Sequence, residues 1–342
     1  MFQSSVCIVI AAYNAARTVT RAVSSALAQD HVNEVIVVDD ASHDGTADAA
    51  SSADDNTGRL RVLRTETNAG PAKARNLALR HSTSRYFCVL DADDYMLPGR
   101  LSRLLNSGAP EWDMLADDMI IVPQEQAGEP VSITRGKPPT ARPITLETFV
   151  RGNISTPGRP RAELGFLKPV ISRAFMDRHN LFYDDLRLGE DYAFYVRALS
   201  HGARFHVVNA CGYVAIERSD SLSARHTAAD LKGMADFDAA MLQDAASRLG
   251  SNERAALAAH HAATWAKYAH ASILERKHEA GYLSALRLLF GKFRPALPYI
   301  LRETANLKLG AALRHLRIGA KKGSRSARFL IGFPDTQLNN RT

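Results

Sequence analysis

The chain has 342 residues, 46% hydrophobic and 23% charged, which is typical of a globular protein with one large α/β domain and an extension, or with two domains. No apolar run approaches the roughly 18 to 20 residues of a membrane span. No Lys or Arg precedes Arg17, so we expect no signal peptide. The three cysteines are widely spaced, which predicts reduced thiols in a cytoplasmic protein.

Positive charge is concentrated at the C-terminal end. The chain carries +7, but the segment from Gly281 to Thr342 has twelve Lys or Arg against two acidic residues, a net charge of +10. The first 280 residues therefore carry −3, and the basic character belongs to the tail. Because the tail has no aromatic interleaving and no nucleic-acid-binding motif, we expect no nucleic-acid partner.

The first 120 residues alternate short apolar runs with helical patterns, which predicts a doubly wound, mostly parallel sheet with flanking helices. The strand candidates are rich in Val, Ile and Leu, as parallel strands buried on both faces are: Val6–Ile10, Val35–Val38, Leu60–Leu63 and Tyr86–Leu90. The intervening helices are expected to start with Asn14 and Ser42 as N-caps and with Pro71 in a first turn.

Composition divides the rest of the chain. Residues 123–162 are rich in Pro, Gly and Arg, which predicts a long loop with one short helix near Thr145–Arg151. Helices are then expected at 172–179 and 190–200, and strands at 204–208 and 213–216. We predict a catalytic domain over residues 1–225, a helical extension over 226–280 and a basic amphipathic tail over 281–342.

Carboxylates follow the fourth strand candidate in the stretch VLDADD, at the sheet edge where open α/β sheets bind ligands. Asp91 and Asp93 would point to the same side of an extended segment. No GxGxxG or GxxxxGK[ST] motif offers a phosphate-binding loop, so a bound diphosphate needs another counter-charge. The two carboxylates therefore predict a Mg²⁺ or Mn²⁺ site. The simpler alternative is a solvated turn, with Asp94 capping the next helix.

Other polar residues lie at the ends of further strands and helices. Asp39 and Asp40 end the second strand candidate and could accept hydrogen bonds from a nucleoside. Lys73 and Arg75 fall on the first turns of a helix, where they could also form a solvated face. The motif GED at 189–191 opens a helix and offers either a general base or carboxylates that stabilise the helix dipole.

The ordered motifs VIAAYNA, EVIVVDDAS, NAGPAKARN, VLDADD and LGEDY resemble those of the family 2 glycosyltransferases with the GT-A fold, over roughly residues 5–225. A narrower similarity, carried by LPGRL, GNIS, GFLKP and CGY, is to glucosyltransferases that build succinoglycan-type exopolysaccharide. Many family members have Pro before the aromatic residue of the first motif, and the AAYN segment here departs from that pattern.

The resemblance implies an inverting transferase that moves glucose from UDP-glucose to a lipid-linked oligosaccharide and forms a β-glycosidic bond. It implies Asp191 as catalytic base and Asp91 and Asp93 as ligands of Mn²⁺ or Mg²⁺, with Asp93 the more direct ligand. His226, in RSDSLSARH, is a further candidate metal ligand, although a lone His is more often structural. The implied nucleotide-sugar contacts are Ala11, Tyr13, Asn14, Asp39, Asp40, Asn68, Arg75, Asp91 and Arg218.

Two other functions are open at this point. A metal-dependent nucleotidyltransferase would use similar carboxylates but release pyrophosphate from a nucleoside triphosphate. A sugar-nucleotide-binding scaffold would bind the same ligand without catalysis, although intact Asp91, Asp93 and Asp191 argue against it.

Apolar residues recur in the tail at helical spacing with Lys and Arg between them: Leu283, Leu286, Leu289 and Phe290, then Leu307, Leu309, Leu313 and Leu316. These helices either pack on the catalytic domain or lie on an anionic membrane surface. We expect membrane binding, which would place the protein in the cytoplasm, peripherally on the inner face of the cytoplasmic membrane.

Overall fold

The structure is a computed structural model that describes residues 5–128, 131–135, 140–154, 162–218, 226–245, 247–302, 326–333 and 336–339. The chain divides into two compact units, one of residues 1–219 with 327–342 and one of residues 220–326. The last residues of the basic tail thus group with the first unit, whereas the sequence analysis separates them from it.

The first unit begins with the strands and helices that the hydrophobic pattern predicts. In chain order these are β1 (Val6–Ala12), α1 (Val19–Leu27), β2 (Val32–Asp39), α2 (Thr46–Ser51), β3 (Leu60–Arg64), α3 (Pro71–His81) and β4 (Tyr86–Val89). The strands pair in parallel in the order β3, β2, β1, β4. The run Val6–Ile10 is buried at every position, because helices cover both faces of such a sheet.

The later elements of this unit include the remaining strands of the sheet and two strands, Ser132–Arg135 and Thr336–Asn339, that form a separate antiparallel pair. In chain order the later elements are β5 (Tyr95–Met96), α4 (Arg100–Leu105), β6 (Met114–Pro123), β7 (Ser132–Arg135), β8 (Ala141–Ile144), α5 (Leu146–Gly152), β9 (Val170–Ser172), α6 (Arg173–Arg178), α7 (Glu190–Ser200), β10 (Phe205–Glu217), β11 (Arg328–Phe329) and β12 (Thr336–Asn339). Strand β9 runs antiparallel to both β4 and β6, and so joins the parallel half to the parallel pair β6 and β10.

Two predicted helix caps are wrong. The N-cap of α1 is Thr18 and that of α2 is Gly45, rather than Asn14 and Ser42. The Asn14 N–H donates to Ser42 Oγ at 2.9 Å, so these two residues connect the loops after β1 and β2. Short polar side chains bind nearby backbone groups in loops as readily as they cap helices. Pro71, by contrast, opens α3 as predicted.

The predicted loop over 123–162 is also partly wrong, because it contains β7 and β8. Its short helix is confirmed as α5, with Thr145 as N-cap. The two strands expected after residue 204 form the single strand β10, with register shifts near Gly212. A Cβ at Gly212 would lie 2.6 Å from Arg100 Cγ, so this glycine makes room for a buried arginine rather than ending a strand.

The C-terminal segment 326–333 returns to the edge of β6. Strand β11 pairs antiparallel with Ile120 and Ile121, and the backbone N–H groups of Ile331 and Gly332 each donate to Asp118 at 2.9 Å. Burial raises the pKa of Asp118 to about 6, although these donors oppose the shift. These contacts attach the end of the chain to the first unit.

The second unit contains α8 (Ala228–Asp244) and α9 (Ser251–Gly291). Thr227 and Asp230 form a capping box at the start of α8. Gly281 interrupts α9 with a φ of 76°, a value that favours glycine, so the axis changes there. No helix among the described residues is long and apolar enough to cross a membrane.

Candidate active site

The VLDADD stretch forms a turn, not the predicted extended segment. The Asp94 N–H donates to the Asp91 carbonyl at 3.1 Å, so the predicted extended geometry, with Asp91 and Asp93 on one side of a strand, is wrong. The Asp94 carboxylate is buried and accepts from the Tyr213 hydroxyl and the Ile216 N–H, each at 2.8 Å. Asp94 thus fixes the turn onto β10 and does not cap a helix.

Asp91 faces two cations. Its Oδ1 lies 3.0 Å from Arg75 Nη2, and its Oδ2 lies 3.0 Å from Lys168 Nζ. Burial alone would raise the pKa of Asp91, but Lys168 and Arg75 outweigh burial and lower it. Asp91 is therefore an ionised carboxylate with both oxygens already engaged.

The same two cations hold the start of α7. Gly189, with a φ of 75°, is the N-cap, and Glu190 and Asp191 occupy the first turn as predicted. Arg75 Nη1 lies 2.7 Å from Glu190 Oε1 and 3.0 Å from Asp191 Oδ1. Lys168 Nζ lies 2.6 Å from Asp191 Oδ2. We call these five residues, Asp91, Glu190, Asp191, Arg75 and Lys168, the charge cluster.

The two basic residues in the first turns of helix α3 lie in different environments. Lys73 is exposed and pairs at the surface with Asp185, whereas Arg75 is buried in the charge cluster. The guanidinium of Arg75 also lies 5.3 Å from the centre of the Tyr183 ring. Lys73 is therefore on the solvated face and Arg75 is in the charge cluster, whereas contact of Arg75 with a nucleotide sugar stays a prediction.

Asp93 lies beside the cluster in a different environment. Its side chain is 33% exposed, and Arg218 Nη1 lies 3.9 Å from its Oδ2. Burial and the negative charge of Asp91 both raise the pKa of Asp93. An accessible carboxylate with little cationic compensation fits the oxygen-donor chemistry of Mg²⁺ or Mn²⁺. The described residues contain no group of three or more acidic, His or Cys side chains arranged for a metal.

The carboxylates of Asp39 and Asp40 are buried and organise loops. Asp39 Oδ1 accepts from the Ser42 N–H, and Asp40 accepts from the backbone N–H groups of Ala69 and Gly70. These bonds hold together the loops that follow β2 and β3. Direct contact of either carboxylate with a nucleoside stays a prediction.

The remaining residues predicted to contact the nucleotide sugar or the metal differ in their exposure to solvent. Tyr13, Asn14 and Asn68 are exposed, and Ala11 is half-buried at the end of β1. These four residues lie in or beside the loops at the carboxyl ends of the strands, where the sequence analysis expects a nucleotide. His226 is exposed and belongs to the second unit, so its role as a metal ligand stays a prediction.

The sequence analysis does not single out Lys168 or Tyr183. Both are buried; Lys168 is a member of the charge cluster, and the ring of Tyr183 contacts the cluster through Arg75. Lys168 precedes a proline in GFLKP, and a lysine within so apolar a stretch is the only local signal of a buried cation.

The sequence of this chain is similar to those of known glycosyltransferases and polysaccharide biosynthesis proteins. Residues 7–133 match the sequence profile described as "Glycosyl transferase family 2". The succinoglycan biosynthesis protein ExoU of Rhizobium meliloti is 46% identical over 280 residues, which cover 82% of this chain and 81% of that protein.

Solved structures share the fold. The Staphylococcus aureus TarS fragment 1–349, in complex with UDP-GlcNAc, superposes with a TM-score of 0.58 at 22% identity, covering 87% of this chain and 81% of TarS. The mannosyltransferase PcManGT of Pyrobaculum calidifontis, in complex with GDP-Man and Mn²⁺, has a TM-score of 0.51 at 18% identity, covering 94% of this chain and 89% of that one.

The fold is therefore that of the GT-A glycosyltransferases, with a DxD turn and a carboxylate pair at the sheet edge. The chain belongs to glycosyl transferase family 2, and its predicted resemblance to succinoglycan-type transferases is confirmed by the similarity to ExoU.

Replacing Arg75 tests how strongly the charge cluster depends on it. The Arg75→Leu variant leaves three carboxylates near one remaining cation, and removing one partner from a buried ion pair typically costs ~3 to 5 kcal/mol. We expect a loss of that order in the free energy of unfolding, measured by urea denaturation. The Lys73→Leu variant on the same helix removes only a surface pair and should cost ~1 kcal/mol or less. Equal losses for the two variants would contradict a central role for Arg75.

Proposed function

We propose that this glycosyltransferase moves glucose from UDP-glucose to a lipid-linked oligosaccharide during assembly of a succinoglycan-like exopolysaccharide, with inversion to a β-glycosidic bond. The similarity to ExoU over four-fifths of both chains supports the pathway. The fold shared with TarS, which was solved with UDP and with UDP-GlcNAc, supports a UDP-sugar donor.

One observation carries the proposal. The charge cluster places Asp191, the proposed base, and Asp91, in the DxD turn, on the same two cations, Arg75 and Lys168. The residue that would take a proton from the acceptor is therefore held at a defined distance from the turn that would face the donor diphosphate. Such fixed geometry is what a single displacement at the anomeric carbon needs.

The proposed reaction needs one base and no general acid. The acceptor hydroxyl oxygen bonds to the anomeric carbon from the face opposite UDP, and its proton passes to the Asp191 carboxylate. The bond from the anomeric carbon to the diphosphate oxygen breaks, and UDP leaves with that electron pair. Because the diphosphate is stable as an anion, it needs no proton to depart.

Asp93 is the residue that we expect to hold a divalent metal. Mn²⁺ or Mg²⁺ bound there would offset charge on the departing diphosphate. Asp93 suits this role because it is accessible and lies next to Arg218, a second positive group for phosphate oxygens. For Asp91 the predicted ligand role competes with two ion pairs.

The residues that follow Gly281 support binding to a membrane surface. Five large apolar side chains are exposed there: Tyr282, Leu283, Leu286, Phe290 and Leu301. Arg287, Lys292, Arg294 and Arg302 accompany them, with no Asp or Glu between residues 281 and 302. Leu289 is buried against Phe293, so one side of this segment packs and the other stays apolar and basic. The second predicted set, Leu307 to Leu316, lies outside the described residues.

A cytoplasmic enzyme bound peripherally to the inner face of the cytoplasmic membrane would meet a lipid-linked acceptor where that acceptor is anchored. This proposed location gives the basic apolar segment a function.

The direct test is a panel of nucleotide sugars incubated with the protein, Mn²⁺ and a lipid-linked oligosaccharide, with released nucleoside diphosphate as the readout. We expect release of UDP from UDP-glucose that depends on the acceptor. Release of pyrophosphate from a nucleoside triphosphate would instead identify a nucleotidyltransferase, and binding without turnover would identify a scaffold.

The base is tested with two neighbouring variants. Asp191→Asn keeps the size of the side chain but cannot take the proton, so kcat should fall by ~10² to 10⁴ while UDP affinity stays unchanged. Glu190→Gln, the matched control, should retain most of the turnover because Glu190 contacts only Arg75 within the cluster. The reverse pattern, with Glu190→Gln inactive and Asp191→Asn active, would assign the base to Glu190.

The metal is tested by removing its proposed ligand. Asp93→Ala should abolish transfer without changing the melting temperature, because the Asp93 side chain is accessible and makes no short ion pair among the described residues. EDTA should inactivate the unaltered protein, and added Mn²⁺ should restore it. Asp236→Ala, an exposed change in the second unit, serves as the control. Full activity in EDTA would exclude the metal from the reaction.

Membrane binding is tested by sedimentation with anionic liposomes. Changing Tyr282, Leu283 and Phe290 together to Ser should reduce pelleting, because it removes exposed apolar side chains that would enter the interface. Pelleting of the unaltered protein should fall as salt increases, since each basic residue near such a surface contributes ~1 kcal/mol of screened attraction. Phe182→Ser, at an exposed position in the first unit, should bind normally. Equal pelleting of all three proteins would leave the segment with a packing role only.

A further inference from the structure

Lys168 is the buried lysine of the charge cluster. Its side chain is 5% exposed, and its ammonium lies between Asp191 Oδ2 at 2.6 Å and Asp91 Oδ2 at 3.0 Å. Burial opposes the charged ammonium, but Asp191 and Asp91 outweigh burial and raise the pKa of Lys168. The lysine is therefore a permanent cation between two carboxylates that would otherwise repel each other.

Two side chains from other parts of the first unit bind the backbone carbonyls of Lys168 and of the residue before it. The Lys168 carbonyl accepts from Arg100 Nη2 at 2.6 Å, and Arg100 forms a fully buried ion pair with Asp117 on β6 at 2.7 Å. The neighbouring Leu167 carbonyl accepts from the Tyr195 hydroxyl at 2.7 Å. Tyr195 lies on α7, the helix that begins with Glu190 and Asp191. These hydrogen bonds fix the main chain from which the Lys168 side chain extends.

The two carboxylate oxygens of Asp191 bind different cations, and this arrangement indicates a role for the fixed position of Lys168. Arg75 binds Oδ1 and Lys168 binds Oδ2, so the two cations together determine the plane of the carboxylate. Without Lys168, Oδ2 would face Asp91 with no cation between them, and the carboxylate would rotate away. A base acts only within hydrogen-bond reach of the proton that it takes, and therefore rotation alone would slow the reaction.

We propose that Lys168 is a positioning residue, which orients the carboxylate of Asp191 toward the acceptor hydroxyl through a main chain anchored by Arg100 and Tyr195. This inference rests on the proposed function, in which Asp191 is the base. Lys168 reaches its two carboxylates and is otherwise enclosed, so it acts through Asp191 and does not bind the donor.

The test compares steady-state kinetics and UDP affinity for four proteins: the unaltered chain, Lys168→Met, Lys168→Arg and Lys73→Met. Methionine replaces the four-atom apolar stem of lysine but lacks the ammonium group and its charge. We expect Lys168→Met to lower kcat by ~10², the usual effect of a small misplacement of a catalytic group, with donor KM and UDP affinity within about twofold of normal. Lys168→Arg should recover part of kcat, and Lys73→Met, on the solvated face of α3, should match the unaltered chain.

A second variant covers the possibility that Lys168→Met fails to fold. Tyr195→Phe removes only the hydroxyl that binds the Leu167 carbonyl, and we expect it to lower kcat about fivefold, the equivalent of one hydrogen bond, again without a change in donor KM.

Unchanged kcat in a folded Lys168→Met protein, or in Tyr195→Phe if the former does not fold, would overturn the inference. A raised donor KM with normal kcat would also overturn it, because Lys168 would then act on the donor side, through Asp91 or by direct contact, and not through Asp191. An unaltered chain that turns over no nucleotide sugar would overturn the proposed function as well, which separates the two failures.

Discussion

Two buried cations, Arg75 and Lys168, hold three carboxylates that come from distant parts of the chain. Moving such charges out of water costs several kcal/mol each, and good geometry on every partner is needed to offset that cost. This arrangement requires the correct placement of four segments: α3, the turn after β4, the segment before β9 and the start of α7. The core sheet provides the scaffold, and charge balance determines how its edge is assembled.

This arrangement links the donor and acceptor sides of the proposed reaction. Asp91 belongs to the turn that carries Asp93, and Asp191 is the proposed base, so a shift of either carboxylate is resisted by the same two cations. Asp93 lies outside the network and keeps an accessible carboxylate. Two different properties thus belong to two residues of the four-residue stretch Asp91 to Asp94. Asp91 is held rigidly, and Asp93, the proposed metal ligand, is accessible. The fourth, Asp94, attaches that stretch to β10.

Patterns within a few residues of the sequence predict many of the strands and helices. The features that these patterns do not predict depend on contacts between distant parts of the chain. Continuous apolar runs identify β1 to β4, and the glycine before Glu190 identifies the start of α7, because both signals lie within a few residues. The antiparallel insertion of β9 and the continuity of β10 across Gly212 depend on partners far along the chain, such as Arg100. For the same reason Lys168, 23 residues from Asp191, has almost no signal in the sequence. The motifs name the carboxylates of the site but not the lysine that orients them.

Arg75 and Lys168, rather than a metal ion, join Asp91 to Asp191. The most direct measurement is anomalous diffraction at the manganese edge from crystals grown with UDP and Mn²⁺. We expect one manganese peak at the Asp93 carboxylate, with both cations still paired to Asp91 and Asp191. A peak between Asp91 and Asp191, with the Lys168 ammonium displaced, would contradict it.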